Sequence, residues 1–146
     1  MRRSCIVAAL LAMAACAANQ VESPQHRNDE VTHELAGTRW ALIQLDGEPV
    51  TLSEDGREAY ISLNSADGRM VGHAGCNRIS STYEQDGARI SFGDVIATRM
   101  FCPDMAVENA LLKALKTATR WRIDASQLEL LDGGQTPVAR FEARNL

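Results

Sequence analysis

Two hydrophobic periods run along residues 35–146, and together they define the elements. Tyr60-Ile61-Ser62-Leu63 and Arg89-Ile90-Ser91-Phe92 alternate residue by residue, the spacing of strands with one wet and one buried face. Runs of this character predict strands over 38–45, 59–64, 69–74, 79–84, 88–92, 95–100, 120–124, 128–131 and 138–143. Asp46-Gly47, Asp55-Gly56, Asp67-Gly68, Asp86-Gly87 and Asp132-Gly133 punctuate them, each pair suited to the positive backbone angles of tight hairpins. Short strands joined by tight turns predict an antiparallel meander. One segment keeps a different rhythm. Val107, Leu111, Leu112, Leu115 and Ala118 recur at three- and four-residue spacing, which predicts a helix opened by Pro103. Asp104 and Glu108 sit near its positive end, and Lys113, Lys116 and Arg120 towards its negative end. Its apolar stripe needs the concave face of a curved sheet, so the expected fold is a single α+β domain, mainly β, over 35–146.

The N-terminal pattern differs from both. Arg2 and Arg3 precede an apolar run of about ten residues that ends in Met13-Ala14-Ala15-Cys16. That is a secretory signal, too short for a membrane span. A thiol at its end resembles the lipobox of bacterial lipoproteins, in which the cysteine is acylated. The expectation is therefore a signal peptide over 1–15 and a lipidated Cys16, with cleavage to a soluble secreted protein as the alternative. Two or more acyl chains hold a protein stably on a bilayer. The expected address is the periplasmic face of the outer membrane, since Ala17 rather than Asp follows the cysteine.

Residues 16–34 are polar and free of aromatics, a composition that reads as a flexible tether spanning roughly 23 Å. His26 and His33 fall at its two halves and are expected to be solvated rather than metal ligands. Charge narrows the partners. The whole chain carries a net charge of −4, and losing Arg2 and Arg3 with the signal makes it more acidic. With no clustered cations in the remainder, nucleic acid is not an expected partner. The partners expected are the membrane, through the anchor, and another envelope protein or lipid.

Gly72-His73-Ala74-Gly75-Cys76-Asn77, then Tyr83, then Thr98-Arg99-Met100-Phe101-Cys102 and Glu108 make an ordered set, preceded by Gly37-Thr38-Arg39-Trp40. This set resembles the META domain family, also called HslJ-like. The positions that carry the resemblance are Trp40, Gly75, Cys76, Asn77, Thr98, Met100, Cys102 and Glu108. The resemblance implies a half-open antiparallel β-barrel around one helix, in envelope proteins often lipidated, linked loosely to stress response and without an established catalytic activity; no cofactor is expected. Phe101 departs from the family, which has a small residue there.

Candidate chemistry remains open at several positions. Cys76 and Cys102 are the thiols left after processing, in an oxidising compartment. A disulfide is the leading reading; two buried thiols or a reactive nucleophile are the alternatives. The crowding Phe101 brings bears on that bridge. His73 is the one histidine near enough to serve a catalytic thiol, but strand geometry points positions 73 and 76 to opposite faces. Gly72 and Gly75 read as sites where a strand bends or bulges. Ser80, Ser81 and Thr82 lack a nucleophile-elbow context, and the carboxylates mostly serve turns. Trp40, Met70, Phe92, Met100 and Phe101 read as core, with a pocket for an apolar ligand as the alternative. Trp121, flanked by Arg120 and Arg122, reads as an arginine-stacked strand residue or a partner-binding patch. The function expected is a non-enzymatic binding or supporting module. A carrier of a small apolar ligand is the alternative, and a thiol-dependent enzyme stands behind both.

Overall fold

The computed structural model describes residues 33–51 and 57–144. Cys16, the signal, most of the tether and the Asp55-Gly56 turn lie outside the described residues. Ten strands and one helix follow in the order β1 (Arg39–Leu45), β2 (Glu48–Pro49), β3 (Tyr60–Asn64), β4 (Arg69–His73), β5 (Arg78–Asp86), β6 (Arg89–Phe92), β7 (Ile96–Ala97), α1 (Ala106–Thr117), β8 (Arg120–Asp124), β9 (Gln127–Leu131) and β10 (Pro137–Arg144). All pairings between these strands are antiparallel.

The meander bends into a ring. Its order is β10-β9-β8-β6-β5-β4-β3-β1, and β10 also pairs with β1, from Arg39 opposite Arg144 to Leu45 opposite Ala139. The ring is uneven. Between β6 and β8 the register holds one pair, Arg89 with Arg120, supported by Ile90 N–H to Thr119 O at 3.1 Å and Trp121 N–H to Ala88 O at 3.0 Å. The expected half-open barrel is thus a ring of strands with one thin seam. Helix α1 packs against β1, β6, β9 and β10.

The core follows from the two periods. Trp40, Ile61, Met70, Leu111, Leu115, Leu128, Leu130 and Phe141 are its largest fully sealed side chains, drawn from five strands and the helix. Burying each contributes roughly 1.5 to 3 kcal/mol. Trp40 also donates its indole N–H to Leu35 O at 3.0 Å, so its one polar atom is satisfied. His33, expected to be solvated, instead packs edge-on against Trp40, with ring centroids 6.1 Å apart. Across β8, β9 and β10, buried Glu129 is paired with Arg122 on one side and Arg140 on the other.

Three local expectations need correction. Helix α1 begins at Ala106, with Met105 at its N-cap position, and Pro103 stands outside it; the Asp104 carboxylate accepts Ala106 N–H at 2.8 Å. The strand expected over 95–100 shortens to Ile96–Ala97. The turn at Asp132-Gly133 has its positive φ at Gln135, while the Asp132 carboxylate accepts the N–H groups of Gly134 and Thr136. Asx geometry replaces the expected two-residue hairpin there.

Candidate functional site

The motif residues converge at one end of the ring, where β4 turns into β5. Ala74 N–H donates to Asn77 O at 2.8 Å, closing a tight turn with Gly75 at φ +97°. Only glycine adopts that angle without strain. Gly72, expected at a bend or bulge, instead lies in regular register between β3 and β5, and it is glycine because a Cβ there would lie 2.1 Å from Tyr60 O, so backbone crowding excludes any larger residue.

Asn77 is the hub. Its backbone N–H donates to Glu108 Oε2 at 2.8 Å and its Nδ2 to Glu108 Oε1 at 3.0 Å, so one carboxylate from the first turn of α1 is held twice. Its Oδ1 accepts from Thr98 Oγ1 at 2.9 Å and from Met100 N–H at 2.7 Å. Thr98 Oγ1 in turn accepts from Arg78 N–H at 3.1 Å. Asn77 and Glu108 are both buried, so these bonds satisfy groups that water does not reach. The result ties three elements: the 74–77 turn, the segment after β7 and the helix start.

Cys76 and Cys102 are bonded to each other, with Cα atoms 6.1 Å apart. They therefore provide no free thiol, and the bridge adds a covalent tie to the clasp that Asn77 makes. Phe101 does not crowd it. The ring is 94% exposed and Met100 is 53% exposed, both turned outward from the pinned segment. Core was the expectation for Phe101 and Met100, and it fails because the hydrogen bonds of Asn77 take the backbone out of the strand and turn these side chains away. Trp40 and Met70 are fully buried as expected, and Phe92 packs partly buried against the core.

His73 ends β4. Its Nδ1 accepts Gly75 N–H at 3.1 Å, so the neutral ring carries its proton on Nε2, which is buried and finds no partner among the described residues. Burial lowers its pKa; Arg57, Arg78 and Arg39 push the same way and Glu108 opposes them. Trp121 is half-buried and donates its indole N–H to Gly87 O at 3.0 Å, pinning the turn between β5 and β6. The guanidinium that stacks on an aromatic among the described residues is Arg39, 3.6 Å from the centre of the Tyr60 ring.

Beside the disulfide lies a cavity of about 630 Å³, lined by Val50, Ala59, Met100, Val107, the two cysteines and the carboxylate-bearing Asp104 and Glu108. It opens at the rim, because the inside of the ring is filled by the sealed side chains named above. Among the described residues no group of three or more histidine, cysteine or acidic side chains is arranged to hold a metal ion.

The ring of strands around one helix is shared with three solved structures. One is an NMR structure of a protein from Burkholderia xenovorans, 25% identical, covering 85% of this chain and 100% of that one, with a TM-score of 0.60. Another NMR structure is 25% identical over 74% of this chain and 90% of the other, with a TM-score of 0.57. A crystal structure of a DUF4847 family protein from Bacteroides vulgatus shares the fold at 17% identity, a TM-score of 0.58 and coverage of 77% and 96%. No curated protein matches the chain. The family profile of the META domain matches residues 33–145. The chain belongs to the META domain family.

Proposed function

We propose that this protein is a non-enzymatic lipoprotein of the bacterial envelope, anchored by an acylated Cys16 to the periplasmic face of the outer membrane. Its META domain acts as a binding or supporting module for another envelope component, with stress response as the setting the family resemblance implies. One observation carries this reading. The polar groups of the motif are spent on one another, leaving no nucleophile of the motif beside a base among the described residues, while the segment they pin displays Met100 and Phe101 to solvent. A clasp that consumes its own chemistry and presents apolar side chains suits recognition better than catalysis.

The test has two arms. Palmitate labelling in cells is expected to mark the wild type and not Cys16→Ser, and the labelled protein is expected in the outer-membrane fraction. A photo-crosslinking residue at position 101 is expected to give a discrete adduct in the intact envelope, and the adduct should fade when Cys76 and Cys102 are both replaced by serine. An unlabelled wild type would overturn the anchor, and the absence of any position-dependent adduct would overturn the binding role.

The cavity at the rim favours a second reading, carriage of a small apolar ligand. Val50, Ala59, Met100 and Val107 give it apolar walls, and about 630 Å³ is the volume of an ordinary ligand pocket. Native mass spectrometry of protein taken from cells distinguishes the two: a bound lipid mass supports carriage, and a clean apo mass ends it.

A further inference from the structure

The outer face of the sheet holds a second hollow, a groove of about 350 Å³ across β3, β4, β5 and β7. Register explains what lines it. Tyr60 lies opposite His73, and His73 opposite Arg78, so three polar side chains form one cross-strand row. Two residues along, Val71 lies opposite Ser80 and Ser80 opposite Ile96. Residues two apart on a strand share a face, so both rows look outward together.

The first row supplies donors. The Nε2–H of His73 has no partner among the described residues, although the residue is only 8% exposed. Arg78 forms no ion pair there, and the hydroxyls of Ser80 and Tyr60 form no hydrogen bond there; all four groups line the groove. Arg39, stacked on Tyr60, is already paired with Glu58 at 3.3 Å, so the positive charge acting on His73 comes chiefly from Arg57 and Arg78, against the opposing carboxylate of Glu108. The second row supplies apolar wall: Val71 is 48% exposed and Ile96 is 71% exposed. Unfilled donors and guanidinium charge call for an anionic oxygen acceptor. Exposed branched side chains beside them call for an aliphatic body, and the volume lies at the small end of ligand sites.

We propose that this groove binds a small carboxylate with an aliphatic body, its head against Arg78, His73 and Ser80 and its body along Val71 and Ile96. The carboxylate has two sources, a free medium-chain acid or the carboxyl terminus of a peptide ending in an aliphatic residue. The site is separate from the rim cavity and from the Met100–Phe101 surface.

The test is an NMR titration of the isotope-labelled full chain carrying Cys16→Ser, with octanoate in one arm and N-acetyl-alanyl-leucine in the other. Saturable amide shifts confined to Gly72, His73, Ser80 and Ile96 are expected in at least one arm, and the arm that binds more tightly identifies the source. Octanol and the leucine amide analogue are expected to bind at least fivefold more weakly. Arg78→Gln, an exposed change that leaves the amide spectrum otherwise native, is expected to weaken binding by a factor of five or more, and Ile96→Asp likewise. No saturable shifts in either arm, equal binding of the uncharged analogues, unchanged affinity in both variants, or shifts that map instead to Ala59, Met100 and Val107 would each overturn the proposal.

Discussion

Asn77 uses both ends of its side-chain amide and its backbone N–H on partners that are 21 to 31 residues away in sequence. Replacing it by alanine strips Glu108 of one of its two donors while the carboxylate stays buried. Thr98 Oγ1 and Met100 N–H lose their acceptor as well, and polar groups left without a partner cost about 1 to 3 kcal/mol each when buried, so Asn77→Ala is expected to cost about 3 kcal/mol, read as a fall in the urea midpoint at unchanged m-value. His73 gives a pH dependence with a definite sign. The unfolded chain takes up its proton near about pH 6.5, whereas the folded chain, with the ring buried beside arginines, takes it up only at lower pH. The folded state therefore binds fewer protons in that window, and stability is level above about pH 6.5 and falls as the pH drops below it. Urea titrations near pH 7 and pH 5 are expected to show a larger loss for the wild type than for His73→Gln. Asn77 was visible in the sequence only as a member of a spaced set, and His73 only as a candidate base for a thiol that the disulfide consumes. That Asn77 bonds Glu108 and that Phe101 faces water depend on chain segments meeting in space, and no local period encodes that.

Among the elements, those with an unbroken period were legible to within a residue or two. Strands β1, β3, β4 and β10 are of this kind, and so is the C-terminal end of helix α1, which starts at Ala106 rather than at Pro103. The exceptions have physical causes. Thr98 and Met100 continue a strand-like pattern, but the Thr98 hydroxyl and the Met100 N–H are drawn to Asn77, so β7 ends at Ala97. Strand β2 escaped notice because Glu48–Pro49 is exposed, with no buried face to leave a pattern. Two changes test how the elements are joined. Reducing the Cys76–Cys102 bridge, which closes a span of 26 residues, is expected to cost about 3.5 kcal/mol in the chain-entropy account, measured by urea unfolding with and without dithiothreitol. Gly72→Ala would drive a methyl group into the Tyr60 carbonyl. Because backbone is what it meets, the variant is expected to lose more than 3 kcal/mol or fail to fold, seen as loss of amide dispersion.

For the whole molecule, the fold class followed from strands, turns and one helix, but ring closure did not. The pairing of β1 with β10 joins residues about a hundred positions apart, and each strand by itself reads as an ordinary half-buried one. The ring's joins are also unequal. Strands β1 and β10 share a long register, whereas β6 and β8 share one pair backed by two hydrogen bonds. Local opening follows the thinnest join. Amide exchange is therefore expected to be faster at Ile90 and Trp121 than at Ala41 and Glu142, which lie opposite each other in the β1–β10 register, and a uniform rate across these four would contradict the seam.

The β1–β10 pairing also orders events in time. The first strand made finds its neighbour β3 early, yet its other edge stays bare until Pro137–Arg144 has been synthesised. A nascent chain thus carries sticky, half-dressed sheet through most of its translation, and a ribosome stalling shortly before that last segment would release a product with two open flanks, ready to zip onto a sibling. The cell that makes this domain has reason to keep it chaperoned until its final few residues emerge.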